Sequence, residues 1–436
     1  MKYNTTYLSV PIFDLDWLTL PIENDNDYNG LLLSGGGGST KSGVKNQIQI
    51  MRETSKGGDK YEAVQQLETD SDSNSRLCSG VSSGEINSHS SICVTIVNLC
   101  RIYKVSTKSN SNEEQNVNKT NNNDNNSSKS NNNNNQLYFT QVGEFVADFA
   151  TEASVNCSII IPSGMIITGG DDSICRIWDV DTSNKNWEIT LSVELKGHTG
   201  PIMALSLHSA LPILATASKD GSCKVWNLRT EQILFNIPPL DGNAGLPSTV
   251  SSPSNTPTKN SIECRGCAFT KNGTSLITIQ SPRRGSASLI LWSFEDSGIS
   301  NDKNASIEVN PVPIRVVVAS KVPAIKLAVS EDSDFIAVGI SDGSISIFNG
   351  STLKKISTKI LFDLPVTGLK FSPVSNILAA CSADRKCVVT KISTPYSTIF
   401  VLFFIIISIL LVSFLLYISF YTFSIHLNFT LKDKEL

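Results

Sequence analysis

The sequence predicts an all-β fold followed by one membrane-spanning helix, and three observations carry that prediction. Short runs of alternating or wholly apolar, β-branched residues recur through residues 1–396, each bounded by glycine, asparagine, aspartate or serine. One unit of this pattern repeats. Near the other end, Ile399 to Phe423 reads "IFVLFFIIISILLVSFLLYISFYTF" and contains no charge.

The clearest unit runs from Leu195 to Leu228, "LKGHTGPIMALSLHSALPILATASKDGSCKVWNL". It opens with Gly197-His198 and continues into an alternating strand and a second strand, "ILATAS". An Asp220-Gly221 turn follows, and a third strand ends at Trp226-Asn227. Such a unit is the mark of a WD-repeat propeller blade. His198, Asp220 and Trp226, with Thr216 or Ser218, are expected to tie the blade's layers by hydrogen bonds. Their role is therefore structural, not catalytic. A second unit, "MIITGGDDSICRIWDV", supplies Asp171 or Asp172 at its turn and Trp178 on its strand. Further units keep Trp292, or place Phe348 in the tryptophan position after Asp342-Gly343, or retain only the turn residue Asp384. "SSICVTIVNLCRIYKV" reads as the outer strands of another blade, and the opening glycine stretch lies in yet another. The expected architecture is a seven-bladed WD-repeat β-propeller over residues 1–396, with "YLSVPIF" lending a strand to the last blade to close the ring. Two insertions interrupt it. Residues 109–136 are dominated by asparagine and are expected to be disordered. Residues 238–260, rich in Pro, Ser, Thr and Asn, are expected to form a surface loop.

The apolar run predicts a transmembrane helix over 397–424. As a helix it is roughly 37 Å long, enough to cross a hydrocarbon core of about 30 Å. Residues 425–436 form a short tail. "MKYNTTYLSVPIFDLDWL" lacks the pattern of a secretory signal, so the large domain is expected in the cytosol and the tail in the lumen. The final "KDKEL" resembles a lumenal retrieval signal without spelling it, and glycosylation at the Asn428 sequon is not expected so close to the membrane.

Composition narrows the function. The net charge is −4 and the basic residues are scattered, so nucleic-acid binding is not expected. Ten cysteines without framework spacing suit a reducing compartment. Cys264 and Cys267 form a lone C-x-x-C with no second pair for zinc, and they read as core thiols on neighbouring strands.

The stretch of most chemical interest is Leu31 to Ile50, "LLLSGGGGSTKSGVKNQIQI". A phosphate-binding loop needs a second glycine where this chain has Thr40, and it needs a helix downstream. Val44, Ile48 and Ile50 instead alternate as a strand does, so direct nucleotide binding is not expected. The stretch reads as a long glycine-rich connection between two strands, and long loops on rigid scaffolds tend to carry function.

A degenerate propeller, a single C-terminal span and "GGGGSTKSGVKN" in the first blade together resemble one family. It is the endoplasmic-reticulum exchange factor for the Sar-type small GTPase of the COPII coat, whose animal members are called prolactin regulatory element-binding protein. The resemblance covers the chain in architecture and is sharpest over Gly35 to Asn46. It implies a potassium ion bracing the loop through the backbone of Gly35, Gly36, Gly37, Gly38 and Gly43. It also implies Lys41, Val44 and Asn46 as the side chains that act on the GTPase. The implied activity is guanine-nucleotide exchange at the endoplasmic-reticulum membrane, starting COPII vesicle formation by stabilising the nucleotide-free GTPase and not by enzymatic catalysis. The alternative is a membrane-anchored WD scaffold that recruits coat or signalling proteins without exchange activity.

Overall fold

The computed structural model describes residues 1, 3–20, 28–37, 44–54, 61–69, 78–107, 137–151, 153–240, 262–294, 311–373, 376–392 and 398–432. Among these residues the strands form seven antiparallel four-stranded sheets. Six are built from consecutive strands, spanning Ile12–Glu68, Cys78–Val146, Val155–Lys196, Ile202–Ile237, Ile262–Ser320 and Ala324–Ile360. The seventh takes three strands from Val366–Lys391 and its fourth from β1 (Tyr3–Tyr7).

That fourth strand closes the ring. β1 pairs antiparallel with Lys386–Lys391, matching Tyr3 to Thr390 and Tyr7 to Lys386. The clasp is therefore Tyr3–Tyr7, earlier than the expected "YLSVPIF". The reason is local: Pro11 interrupts that stretch, and Ile12 onward belongs to β2 (Ile12–Leu20), the first strand of blade one. A second correction concerns blade two. His89–Ile96 and Leu99–Thr107, expected as outer strands, are its two middle strands, and Leu137–Val146 is its outer one.

The first strand of each blade touches the first strands of its neighbours, so these seven line the ring's centre. Second strands are sandwiched between adjacent blades and read as continuous apolar runs. Ile213–Ser218 and Phe335–Ile340 are buried at every position. Fourth strands sit at the rim with many exposed positions, as in Val312–Ser320. The core is accordingly a set of inter-blade layers, such as the cluster joining Phe235 and Ile237 of blade four to Leu276, Ile290 and Trp292 of blade five.

Antiparallel order fixes which connections share an end of the ring. Connections after each second strand and after each fourth strand emerge together, and those after first and third strands emerge at the opposite end. Residues 36–37, 44–46, 147–151, 153–154 and 361–365 therefore all lie on one end. Residues 109–136 and most of 238–260 lie outside the described residues.

The cysteine pair also departs from expectation. Cys264 and Cys267 lie on one strand, Ile262–Phe269, and both are buried in the layer between blades four and five. Three residues apart on a regular strand they would face opposite sides. A bulge between Cys264 and Gly266 turns both to the same side.

The helix, Thr398–Lys432, falls in a separate unit with Ile392. It runs past the expected end of the span at 424 because Ser424–Lys432 contains neither proline nor glycine to stop it. Its 35 residues measure about 52 Å. From Ile405 to Thr422 it is uncharged and exposed throughout, and it is long and apolar enough to cross a membrane.

Candidate functional site

Blade one carries the glycine stretch between β3 (Tyr28–Gly35) and β4 (Gln47–Glu53). The ladder between them ends at Gly35 opposite Gln47, and the chain leaves the sheet at Gly36. The Gly36 amide donates to the Pro11 carbonyl at 3.0 Å. A Cβ on Gly35 would lie 2.2 Å from that same carbonyl oxygen, so the backbone passes where no side chain fits. Gly36 has φ +151°, and a Cβ there would meet Asn46 Oδ1 at 2.1 Å.

Asn46 forms the other wall of the loop base. It is 0 % exposed, and its carbonyl accepts from the Thr69 amide at 3.0 Å, tying the loop to the strand β5 (Tyr61–Glu68). Val44 is half-buried against the cluster of Val10, Ile12, Leu15 and Trp17. Lys45 reaches outward to Glu68, with Nζ 2.8 Å from Oε1. Of the expected loop residues, Gly35, Gly36, Gly37, Val44 and Asn46 are placed by the structure, while Gly38, Lys41 and Gly43 lie outside the described residues. Asn46 is thus buried at the loop base, with its side chain against the backbone of Gly36.

Two carboxylates that sequence reasoning missed hold blade one in position. Asp16 Oδ2 accepts the Ser83 amide of blade two at 2.9 Å, and its Oδ1 meets Lys370 Nζ of blade seven at 3.0 Å. Asp14 Oδ2 accepts the Val81 amide at 3.4 Å, and Lys326 Nζ of blade six stands 3.8 Å from its Oδ1. Burial raises the Asp14 carboxyl, and the two lysines oppose that shift. The signal was present in "FDLDWL", where two acids at alternate positions interrupt an apolar strand.

The expected blade residues form the network that was anticipated. His198 Nδ1 lies 2.8 Å from Asp220 Oδ2, and its Nε2 lies 2.8 Å from Thr216 Oγ1. Trp226 Nε1 donates to the same hydroxyl at 2.9 Å. Burial alone would raise the Asp220 carboxyl, but hydrogen bonds from His198, Thr199 and Ser222 hold it well below the usual carboxylate range. Trp178 and Trp292 repeat the tryptophan bond, to Thr168 and Thr278, each at 2.9 Å. Phe348 occupies the same register position in blade six, opposite Ile336 as Trp226 is opposite Leu214. The set is saturated by its own partners and serves the blades. Among the described residues no cluster of three His, Cys, Asp or Glu side chains is arranged to hold a metal.

At the end opposite the glycine loop, the first strands of blades four to seven surround a cavity of about 570 Å³. Its lining includes Lys271, Glu331 and Lys370.

Comparison with known proteins matches three stretches, residues 142–179, 189–227 and 358–390, to the WD domain, G-beta repeat family. Over 211 residues the chain is 29 % identical to pre-mRNA-processing factor 19 of Oryza sativa subsp. japonica, covering 48 % of this chain and 32 % of that protein. Over 91 residues it is 33 % identical to a probable coatomer subunit beta' of Schizosaccharomyces pombe, covering 20 % of this chain and 11 % of that one. The chain thus spans at most about a third of these relatives. Among solved structures, a chain of the mitotic checkpoint complex crystal structure superposes with TM-score 0.57 at 15 % identity, covering 90 % of this chain and 94 % of the other, which speaks to fold alone. Blade count, ladder register and matched repeats agree: the chain is a seven-bladed β-propeller carrying WD40 repeats, with one C-terminal helix able to span a membrane.

Proposed function

We propose that this propeller is a guanine-nucleotide exchange factor for a Sar-type small GTPase, acting from the endoplasmic-reticulum membrane to start COPII vesicle formation. The observation that supports this reading best is the glycine loop. It leaves blade one through two positions that exclude any side chain, and Asn46 is buried beneath it. A loop built this way presents backbone, with Lys41 as its candidate contact, to a protein and not to a nucleotide. Carbonyls of Gly35 to Gly38 and of Gly43 are the groups that would hold a bracing potassium ion, since hard cations favour such oxygen-lined sites. Asn46 and Val44 then act on the partner through the loop's shape.

The mechanism is linkage. A protein that binds the empty GTPase more tightly than the loaded one weakens nucleotide binding by the same factor. Cellular GTP then refills the vacated site. A membrane helix confines this to one surface and raises the effective concentration of a membrane-associated partner. The propeller domain faces the cytosol in this reading.

The test is release of a fluorescent guanine nucleotide from a Sar-type GTPase by the full chain in detergent micelles, in potassium and then in sodium. Wild type is expected to accelerate release, and Asn46→Ala, checked for folding by its melting temperature, is expected to lose that effect. No acceleration by folded wild type in potassium would leave a membrane-anchored WD scaffold.

A further inference from the structure

In blade five the second and third strands, Ser275–Pro282 and Ala287–Ser293, are joined by a hairpin tip that reads "SPRRGSAS" from Ser281 to Ser288. The ladder between them ends at Gln280 opposite Ser288, so residues 281–287 stand beyond it. Arg283, Arg284, Gly285 and Ser286 are all exposed. Gly285 turns the chain with φ +132°, a conformation that side chains rarely permit.

Three serines flank or follow the arginines, and their surroundings differ. Ser281 is 2 % exposed. Ser288 is half-buried in the sheet, opposite Gln280 on one side and Val318 on the other. Ser286 alone of the three presents its hydroxyl to solvent, and among the described residues that hydroxyl has no hydrogen-bond partner. Among the same residues neither Arg283 nor Arg284 is paired with a carboxylate. Two adjacent guanidinium groups without a counter-ion do nothing to hold the turn, and both are open to an incoming partner.

Guanidinium is the group that carboxylates recognise through paired, charge-assisted hydrogen bonds. An arginine-directed protein kinase reads its substrate in this way, by cations shortly before the target hydroxyl. Arg283 and Arg284 stand three and two positions before Ser286. We propose that Ser286 is a phosphorylation site for an arginine-directed serine/threonine kinase. In the transfer, Ser286 Oγ attacks the γ-phosphorus of magnesium-bound ATP and a new Oγ–P bond forms. The bond from that phosphorus to the bridging oxygen breaks, ADP leaves with the electron pair, and the hydroxyl proton passes to the kinase's catalytic aspartate. Ala287, the next residue, is 0 % exposed and pairs with Ser320, so recognition rests on the residues before Ser286.

The phosphate adds a charge of about −1.5 to −2 at pH 7, which cancels most or all of the charge of the two arginines. A doubly cationic tip becomes nearly neutral, and its arginines gain an acceptor within their own turn. Emergence after a second strand puts the tip at the end of the ring where Gly36 leaves blade one, so the charge changes on that end and not at the cavity. The assignment stands apart from the exchange reading above.

A second pair of cations provides the internal comparison. Lys354 and Lys355 stand three and two positions before Ser357. There, however, Lys355 Nζ donates to the Ala319 carbonyl at 2.8 Å, and Ser357 is half-buried within the strand Lys355–Ile360.

The experiment incubates the folded full chain, in detergent micelles, with magnesium-ATP and the catalytic subunit of cyclic-AMP-dependent protein kinase. Phosphorylated positions are then read by peptide mass spectrometry. Phosphate is expected on Ser286 and not on Ser281, Ser288 or Ser357. Ser286→Ala is expected to lose it, with the melting temperature unchanged. The double variant Arg283→Ala, Arg284→Ala is expected to raise the KM for the chain at least about tenfold, as loss of hydrogen bonds to charged groups does, again without a change in melting temperature. No phosphate on folded wild type would overturn the assignment, and so would phosphate that appears on Ser286 only after heat unfolding. An unchanged KM in the arginine variant would overturn the recognition argued from the two guanidinium groups.

Discussion

The Cβ position of Gly36 lies 2.1 Å from Oδ1 of Asn46, ten residues along the chain. The loop base is thus a backbone-to-side-chain wedge. Gly36→Ala must displace either the buried amide or the strand end, and alanine is strained at φ +151° as well. The expected cost is about 1 to 3 kcal/mol. Nucleotide release, if it depends on this loop, should fall much further than the melting temperature does. Equal losses in both would place the defect in folding.

Lys41 and Lys45 are expected to behave differently. Lys45 is committed to Glu68 in an exposed pair, with side chains 70 % and 51 % exposed, and such pairs contribute little. Lys45→Ala should leave both release and melting temperature at wild-type values. Lys41→Ala should slow release without altering the melting temperature. Parallel stability and release measurements on the two variants separate these outcomes, and equal effects on release would remove Lys41 from its assigned role.

Thr216 joins two buried donors or acceptors, His198 Nε2 and Trp226 Nε1, through one hydroxyl. Thr216→Val keeps the shape and strands both partners, and leaving a buried polar group unsatisfied costs about 1 to 3 kcal/mol. The variant should unfold at lower urea concentration with an unchanged slope. Exchange by the folded fraction should be untouched, which distinguishes a blade-holding network from a catalytic pair.

His208 offers a pH test. Its Nδ1 accepts amides from Ala210 at 3.1 Å and Leu211 at 3.0 Å. Burial lowers its pKa, and the Gly273 backbone opposes this only in part. In the unfolded chain the imidazole titrates near 6.5. The folded state therefore binds fewer protons as pH falls below that value. The stabilisation is fully present above about 6.5 and is lost toward the lower folded pKa. His208→Asn keeps an acceptor and does not titrate. The melting-temperature difference between wild type and variant should shrink as the buffer goes from neutral to mildly acidic, and a constant difference would show that His208 does not titrate in this range.

The blades that were legible in the sequence are those whose polar network is encoded locally. In blade four, His198, Thr216, Asp220 and Trp226 fall within one repeat, so spacing alone revealed them. Blades one and two lack that set and were placed only by their strands. The middle strands of blade two were mistaken for outer ones because burial on both faces leaves no alternation to read. Asn46 was named from the loop's contents, and its burial against Gly36 is a contact across the loop's neck that a sequence does not show. The bulge at Gly266 likewise escaped periodicity, and with it the shared facing of Cys264 and Cys267.

Ring closure by Tyr3–Tyr7 has a consequence for biosynthesis. Tyr3–Tyr7 leaves the ribosome long before its partner, because Lys386–Lys391 is made some 380 residues later. At about 5 to 20 residues per second that interval is roughly 20 to 80 seconds. Throughout it, the inner edge of blade one and the open edge of the growing arc stay unsealed. A change that weakens the pairing of β1 should therefore show first in the yield of soluble chain during translation, before any effect on the finished ring can be measured.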